Sequence, residues 1–121
     1  MLLQDVKVDS RVVRNKTVGF YKVNYATWVR IKFDDIVYIE TVPKLPNKIV
    51  FKDGKIIYST EPLTKIALVL PFKFERIHRS HVVNIDYVDQ VDYRHKMVIL
   101  KSNVKLKLGS GYVENIAKYF I

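Results

Sequence analysis

The sequence predicts a mainly β domain of short antiparallel strands, with one internal and one C-terminal helix. Between Thr17 and Thr41, apolar residues alternate with polar ones, and β-branched and aromatic residues dominate, as strands prefer. The pair Asp53-Gly54 lies between two apolar runs and is expected to supply the positive φ angles of a tight hairpin turn. Two short segments instead repeat apolar residues at the i, i+3, i+4, i+7 spacing of a helix face.

The length, charge and composition of the chain limit the classes of protein to which it can belong. A chain of 121 residues is long enough for one domain with one core. The net charge of +9, from 21 basic and 12 acidic residues, favours a polyanionic partner, either nucleic acid or an anionic membrane surface. There is no cysteine, no signal-peptide pattern and no apolar run near the roughly 20 residues of a membrane span. We therefore expect a cytoplasmic protein without a membrane span.

The first third of the chain divides into an unassigned segment and a group of strands. Residues 1–16 match no pattern, and we interpret them as an N-terminal extension or a linker remnant that precedes a domain at residues 17–121. Within the following strands, Asn24 suits a turn, as do Asp34 and Asp35.

Two prolines interrupt the strand pattern in the segment Val42–Lys48. Proline has no backbone donor, so this segment is predicted to be an exposed loop, which carries Lys44 and Lys48. The hairpin that turns at Asp53-Gly54 follows it.

Both helices are predicted to be short and to pack one apolar face on the core. The internal helix is expected to have Thr60 as its cap and to end at Pro71, and the final helix to have Ser110 as its cap. Their apolar positions are Leu63, Ile66, Ala67 and Leu70 in the first helix, and Val113, Ile116, Ala117 and Phe120 in the second. Between the helices, the last predicted hairpin has a basic face that carries Lys105 and Lys107.

The most informative stretch is Phe74–Asn84, in which the polar cluster His78-Arg79-Ser80-His81 interrupts an apolar segment. This run resembles the signature of LytTR domains, the DNA-binding domains of bacterial regulators of the LytR and AlgR type. Further upstream, Asp35–Glu40 resembles an early strand phrase of that family, and the Asp53-Gly54 hairpin resembles its next hairpin. The segment Gly109–Tyr112 stands where the family has its last motif, so the resemblance runs in order from about Thr17 to the C-terminus.

The resemblance implies a fold and a function. The fold would be an elongated β-β-β sandwich, and the function would be sequence-specific binding of double-stranded DNA in bacterial transcription regulation. Loops rather than a recognition helix would enter the major groove, and a homodimer would bind repeated half-sites. The resemblance leaves two alternatives open. The chain is either a stand-alone regulator controlled by a partner protein or the C-terminal part of a longer regulator.

The resemblance also implies which residues would contact DNA. Base contacts fall by position on Asn47, Arg79 and Ser110, and Ser110 is a departure because the family often has arginine there. One hydroxyl replaces five donors, so a weaker or different sequence preference is expected. The remaining expected DNA-contacting residues are Lys44, Lys48, Arg76, His78, Ser80, Lys105 and Lys107. The acidic residues between Ile85 and Tyr93 would repel phosphate and are expected to face away from DNA.

Two other functions are alternatives to DNA reading. Ser110 and the proline-containing loop favour a basic interaction module that binds a partner protein and has lost base readout. An enzyme or metal site would have to use His78 and His81, but Arg79 lies between them and its charge disfavours a bound cation. We therefore predict no enzymatic activity, no metal and no cofactor.

Overall fold

The computed structural model describes residues 17–44 and 47–121, except for the side chain of Val23. The predicted extension at residues 1–16 and Pro46 of the predicted loop lie outside the described residues. The described strands are β1 (Val18–Asn24), β2 (Thr27–Lys32), β3 (Ile36–Glu40), β4 (Asn47–Phe51), β5 (Ile56–Ser59), β6 (Phe74–His78), β7 (His81–Asn84), β8 (Val88–Asp92), β9 (Met97–Leu100) and β10 (Lys105–Lys107). The helices are α1 (Leu63–Val69) and α2 (Val113–Ala117), and 3-10 turns occupy Phe33–Asp35, Ile85–Tyr87 and Ser110–Tyr112.

The strands form three antiparallel sheets arranged as layers. The central sheet has the order β5-β4-β3-β7-β6, and β1-β2 and β10-β9-β8 form two smaller sheets. One apolar core joins β1-β2 and α1 to one face of the central sheet, and a second core joins β8-β9-β10 and α2 to the other face. This arrangement confirms the predicted β-β-β sandwich.

The strand register explains why both faces of the central sheet are apolar. Ile39 lies opposite Ile49 and Val82, and all three belong to the first core. The neighbouring position, Tyr38, lies opposite Val83 and belongs to the second core. Successive side chains of a strand point to opposite faces, so β3 contributes to both cores at once. Fully burying an isoleucine stabilises a fold by about 1.5–3 kcal/mol, and Ile39 and Ile49 are each 0% exposed.

The helix positions are confirmed, but the predicted helix caps are wrong. Helix α1 is preceded by Pro62 without a capping side chain, and Ser59 rather than Thr60 accepts a bond from the Glu61 amide at 3.2 Å. The Ser59 hydroxyl also donates to the carbonyl of Lys22, so it joins the start of the α1 segment to β1. Ser110 lies in a 3-10 turn and does not cap α2.

The hairpin turn between β4 and β5 is confirmed with one correction. Gly54 has a φ of +88°, whereas Asp53 is not among the described residues with positive φ. The Gly54 amide donates to the carbonyl of Phe51 at 2.9 Å, which closes a four-residue connection rather than a two-residue one. Glycine is therefore required at one position only.

Candidate nucleic-acid interface

Several chain connections meet at one end of the central sheet. Strand β3 ends there and β4 begins there, because Glu40 pairs with Lys48, and β7 begins there too, because Glu40 also pairs with His81. The β6–β7 turn lies at the same end, since His78 pairs with His81. The Gly109 amide donates to the carbonyl of Ile77 at 2.7 Å and adds the β10–α2 connection.

A fourth connection joins this end from the three-stranded sheet. The Leu108 amide donates to the carbonyl of Lys96 at 2.9 Å, which places the β8–β9 turn beside the β10–α2 connection. We call this end of the molecule the basic end. Its basic side chains, with two serines, are Lys44, Lys48, Arg76, His78, Arg79, Ser80, Arg94, Lys96, Lys107 and Ser110, and acidic residues of the same end are described below.

The opposite end of the central sheet carries paired acidic residues. Lys73 bonds to Asp34 and lies 3.1 Å from Asp86, and a second ion pair joins Lys52 to Asp35 at 3.2 Å. Asp34 and Asp35 precede β3, and Asp86 follows β7, so these acids lie at the ends of the two strands that are farthest from the basic end. The charge of the described part of the chain is thus unevenly distributed along the strands.

The predicted position of the acidic residues after Ile85 needs one correction. Asp86 lies at the opposite end, but Asp92 lies at the basic end because it pairs with Met97, which also pairs with Lys107. The backbone and side chain of His95 hydrogen-bond to the Asp92 carboxylate, and these bonds lower its pKa. Asp92 organises the β8–β9 turn, which sequence spacing alone does not show.

The β6–β7 turn presents Arg79 to solvent on a backbone that side chains hold in place. Arg76 donates from Nε to the carbonyl of His78 at 2.9 Å and from Nη2 to the carbonyl of Arg79. The Ser80 amide donates to Nδ1 of His78 at 3.1 Å. Arg79 is exposed, and Ser80 is partly buried, with its carbonyl accepting from the Thr41 amide at 2.9 Å. The turn therefore presents the Arg79 side chain to solvent from a backbone that is held in place.

The surroundings of His78 favour its neutral form by lowering its pKa. Desolvation lowers its pKa, and the charges of His81, Arg79, Lys107 and Arg76 lower it further. Because Nδ1 accepts a bond from the Ser80 amide, the ring proton of the neutral form lies on Nε2. His78 is only partly buried, so this N–H is a candidate donor to DNA.

His81 and Lys48 share one carboxylate at the basic end. His81 is 8% exposed, and its Nε2 lies 3.1 Å from Oε1 of Glu40, while Lys48 Nζ lies 3.8 Å from Oε2. Nδ1 of His81 is buried and has no hydrogen-bond partner within the described part of the chain. His81 is therefore a packed residue, and Glu40 offsets part of the positive charge of Lys48.

Asn47 was predicted to contact a base from the β3–β4 loop, but its side chain is held inside the protein. This side chain is 6% exposed, its Oδ1 accepts from the Thr41 hydroxyl at 2.9 Å, and its Nδ2 donates to the carbonyl of Glu61. Both of its polar atoms thus hold the loop against the start of α1, and the side chain does not project from the surface. Lys44 is exposed, with a φ of +64°, and remains available.

The last predicted contacts lie on β10 and just after it. Lys105 and Lys107 are exposed on an edge strand, and Lys107 is the one nearer the basic end. Ser110 is exposed in its 3-10 turn. A Cβ on Gly109 would lie 3.5 Å from Cδ2 of His78, so the chain before Ser110 passes close to the β6–β7 turn.

Sequence reasoning missed the β8–β9 turn as a candidate. Tyr93, Arg94 and Lys96 are exposed there, and Lys96 Nζ lies 4.2 Å from the centroid of the Tyr93 ring. The signal was present, since three basic residues follow one another at Arg94-His95-Lys96. The sequence alone does not show the strand register, which brings this turn beside Lys107.

Among residues 17–44 and 47–121, no group of three or more His, Cys, Asp or Glu side chains is arranged to hold a metal ion. In the same ranges, no helix is long and apolar enough to cross a membrane.

Comparison with known proteins agrees with this geometry. Residues 26–121 match a family described as the LytTr DNA-binding domain. The chain is also similar to a solved structure from Bacillus cereus, the LytTr DNA-binding domain of a protein described as a methyl-accepting/DNA response regulator. That match has a TM-score of 0.69 and 19% identity, and it covers 86% of this chain and 96% of the other. No curated protein sequence matches the chain significantly.

Proposed function

The chain belongs to the LytTr DNA-binding domain family, and we propose that it reads the sequence of double-stranded DNA in bacterial transcription regulation. In this proposal, the connections of the basic end enter the major groove. The observation that carries the proposal is the exposed Arg79 on a braced turn, surrounded by other basic residues at one end of the sheet. A DNA partner would place the protein in the cytoplasm, and we infer no enzymatic role.

Arg79 is the residue assigned to base readout. A guanidinium can donate two parallel bonds to O6 and N7 of guanine, which is typically worth about 1–3 kcal/mol of discrimination against another base. A turn fixed by its own side chains limits the entropy that Arg79 loses on binding. Ser110 would contribute a single hydroxyl from the neighbouring connection.

Phosphate contacts are assigned to the exposed cations around Arg79. Lys44, Lys107 and the His78 N–H would position the domain, because such contacts fix register without reading sequence. Lys48 would contribute less, owing to its ion pair with Glu40. The β8–β9 turn would extend the phosphate-contacting surface through Arg94.

Two assignments from the sequence are changed in this proposal. Asn47 is left out as a base contact because it is buried in the loop framework. Lys105 is placed at the margin of the proposed DNA-facing surface, because it lies farther from the basic end than Lys107 on the same strand. Ser80 keeps a phosphate role through its hydroxyl.

The proposal includes a homodimer on repeated half-sites. Two copies on one face of the duplex would require half-sites about one helical turn, roughly 10–10.5 base pairs, apart. Inserting five base pairs between the half-sites should then abolish cooperative binding in a gel-shift titration, whereas independent monomers would be unaffected.

The decisive experiment is fluorescence anisotropy with genomic upstream fragments and a scrambled duplex over a salt series. A sequence reader should prefer one fragment by roughly a thousandfold or more. Arg79→Ala should remove much of that preference, while Lys55→Ala, an exposed lysine at the opposite end, should leave it unchanged. Equal affinity of the wild-type protein for both duplexes at every salt concentration would refute sequence reading.

An alternative function, as a module that binds a partner protein, is favoured by a separate observation. An apolar cleft of about 310 Å³ lies between the β1–β2 hairpin and α1, and Phe20, Trp28 and Val69 on its border are 63%, 58% and 45% exposed. A contiguous exposed apolar surface often marks a protein contact. Under this alternative, Arg79→Ala would change nothing in a DNA assay, and Trp28→Ser would abolish binding to the partner.

A further inference from the structure

We propose that Arg76 does not contact phosphate but is a positioning residue, which holds the two connections that present Arg79 and Ser110 to DNA. The proposal rests on the proposed DNA-reading function and assigns to Arg76 a different role from the phosphate contact that the sequence suggested.

The hydrogen bonds of Arg76 point inward, toward the backbone of the β6–β7 turn. Nε donates to the carbonyl of His78, and Nη2 donates to the carbonyl of Arg79. These two carbonyls precede and follow the Cα of Arg79, so the Arg76 guanidinium bonds to the backbone on both sides of the residue assigned to base readout. The side chain of Arg76 is partly buried and is thus less accessible to DNA than that of Arg79.

This turn needs such support because of its backbone. Two-residue hairpin turns are most stable when a central residue has positive φ, as this matches the twist of the strands. Positive φ occurs among the described non-glycine residues at Lys44, Lys96 and Asn103, and hence at neither Arg79 nor Ser80. The pairing of β6 with β7 is also irregular between Arg76 and His78. Side-chain bonds to the turn replace a stabilisation that its backbone conformation does not provide.

Arg76 also contacts the second connection. Its guanidinium carbon lies 5.7 Å from the centroid of the Tyr112 ring, within the range of a cation–π contact. Its carbonyl accepts from Nδ2 of Asn115 in α2 at 2.8 Å. Tyr112 belongs to the same 3-10 turn as Ser110, so one residue joins both elements that are assigned to base contact.

Lysine cannot replace arginine in this role. A guanidinium is a planar fork that can bond two carbonyls and stack on a ring at the same time, whereas an ammonium is a compact charge on a flexible stem. Arg76→Lys therefore keeps the charge that a phosphate contact needs and loses the geometry that positioning needs. This makes it the variant that separates the two roles.

The test compares Arg76→Lys with Lys107→Ala, a control that removes an assigned phosphate contact outside the turn. Arg76→Lys should weaken binding to the preferred fragment by about tenfold, roughly the cost of ordering one backbone residue on binding. Binding to the scrambled duplex and the salt slope should not change. Lys107→Ala should weaken binding to both duplexes and reduce the salt slope by about 0.9.

A double-variant cycle adds a second criterion. If Arg76 acts by positioning Arg79 and Ser110, then Arg76→Lys should weaken binding to the preferred fragment less in an Arg79→Ala background than in the wild type, because only the positioning of Ser110 is left to lose. Wild-type affinity and preference in Arg76→Lys, or equal losses in the presence and absence of Arg79, would overturn the positioning role.

A measurement without DNA distinguishes failure of this inference from failure of the proposed function. By NMR, exchange of the Ser80 amide with solvent should be about tenfold faster in Arg76→Lys, with thermal unfolding monitored to show that the fold is retained. Unchanged exchange would refute the positioning role, whatever the DNA result. If exchange accelerates but the wild-type protein prefers no fragment, the positioning stands and sequence reading is the part that is wrong.

Discussion

The location of positive charge, and not its total, should determine how strongly this domain binds DNA. Two double variants test this, because each lowers the net charge of +9 by two units. The first, Arg94→Ala with Lys107→Ala, removes two exposed cations from the basic end. The second, Lys55→Ala with Lys101→Ala, removes two exposed cations from turns at the opposite end, where the Lys101 amide bonds to the carbonyl of Tyr87.

The expected magnitude follows from counterion release and from the length of the strands. Each phosphate contact contributes about 0.9 to the slope of log affinity against log salt, so the basic-end variant should lose about 1.8. A five-residue strand such as β3 spans roughly 16 Å. This exceeds the Debye length of about 10 Å at 0.1 M salt, so the opposite-end variant should lose little.

The assay is anisotropy with a scrambled duplex at four or more salt concentrations, since a non-specific duplex reports electrostatics alone. Thermal unfolding of both variants serves as the control for folding. Equal slope losses in the two variants would show that binding depends on net charge, and the assignment of the basic end as the DNA-facing surface would then be wrong.

Two further predictions concern stability. Asn84 is 0% exposed, donates to the Ile36 carbonyl and accepts from the Asp86 amide. Asn84→Ala leaves these groups unpaired and should lower the free energy of unfolding, measured by urea titration, by about 1–3 kcal/mol. A loss below about 0.5 kcal/mol would contradict this prediction. The pKa of His78 is lowered on folding, so the unfolded chain takes up the proton first as pH falls below about 6.5. The free energy of unfolding should therefore decline between that pH and the lower pKa of the folded state, and His78→Gln should flatten this decline.

The layered fold could be predicted because its signals are local. Apolar and β-branched runs mark β3 and β4 as strands, and Gly54 marks the turn between β4 and β5. These patterns depend on neighbouring residues only, so one sequence suffices to recognise them. The resemblance at residues 74–84 then supplied the family, which the match over residues 26–121 confirms.

The candidate site was less predictable because its contacts join distant parts of the chain. Asn47 looked like an exposed loop amide, and its burial depends on the Glu61 carbonyl, 14 positions away. Arg76 looked like one more surface cation, and its role depends on the path of the β6–β7 turn and on Tyr112. The β8–β9 turn joins the site through the hydrogen bond between Leu108 and Lys96 and through the pairing of Met97 with Lys107.

The order of the central sheet also has a consequence for how the domain acquires its activity during folding. Strand β3 lies between β4 and β7, and the contact of Glu40 with His81 closes a separation of 41 positions. Pairings between such distant segments form slowly, because the loop between them must be closed before any contact stabilises it. The basic end needs this pairing and also the β10–α2 connection, so a partly folded chain has not assembled the surface that we propose to face DNA. Binding competence should therefore appear late in folding, together with the native sheet.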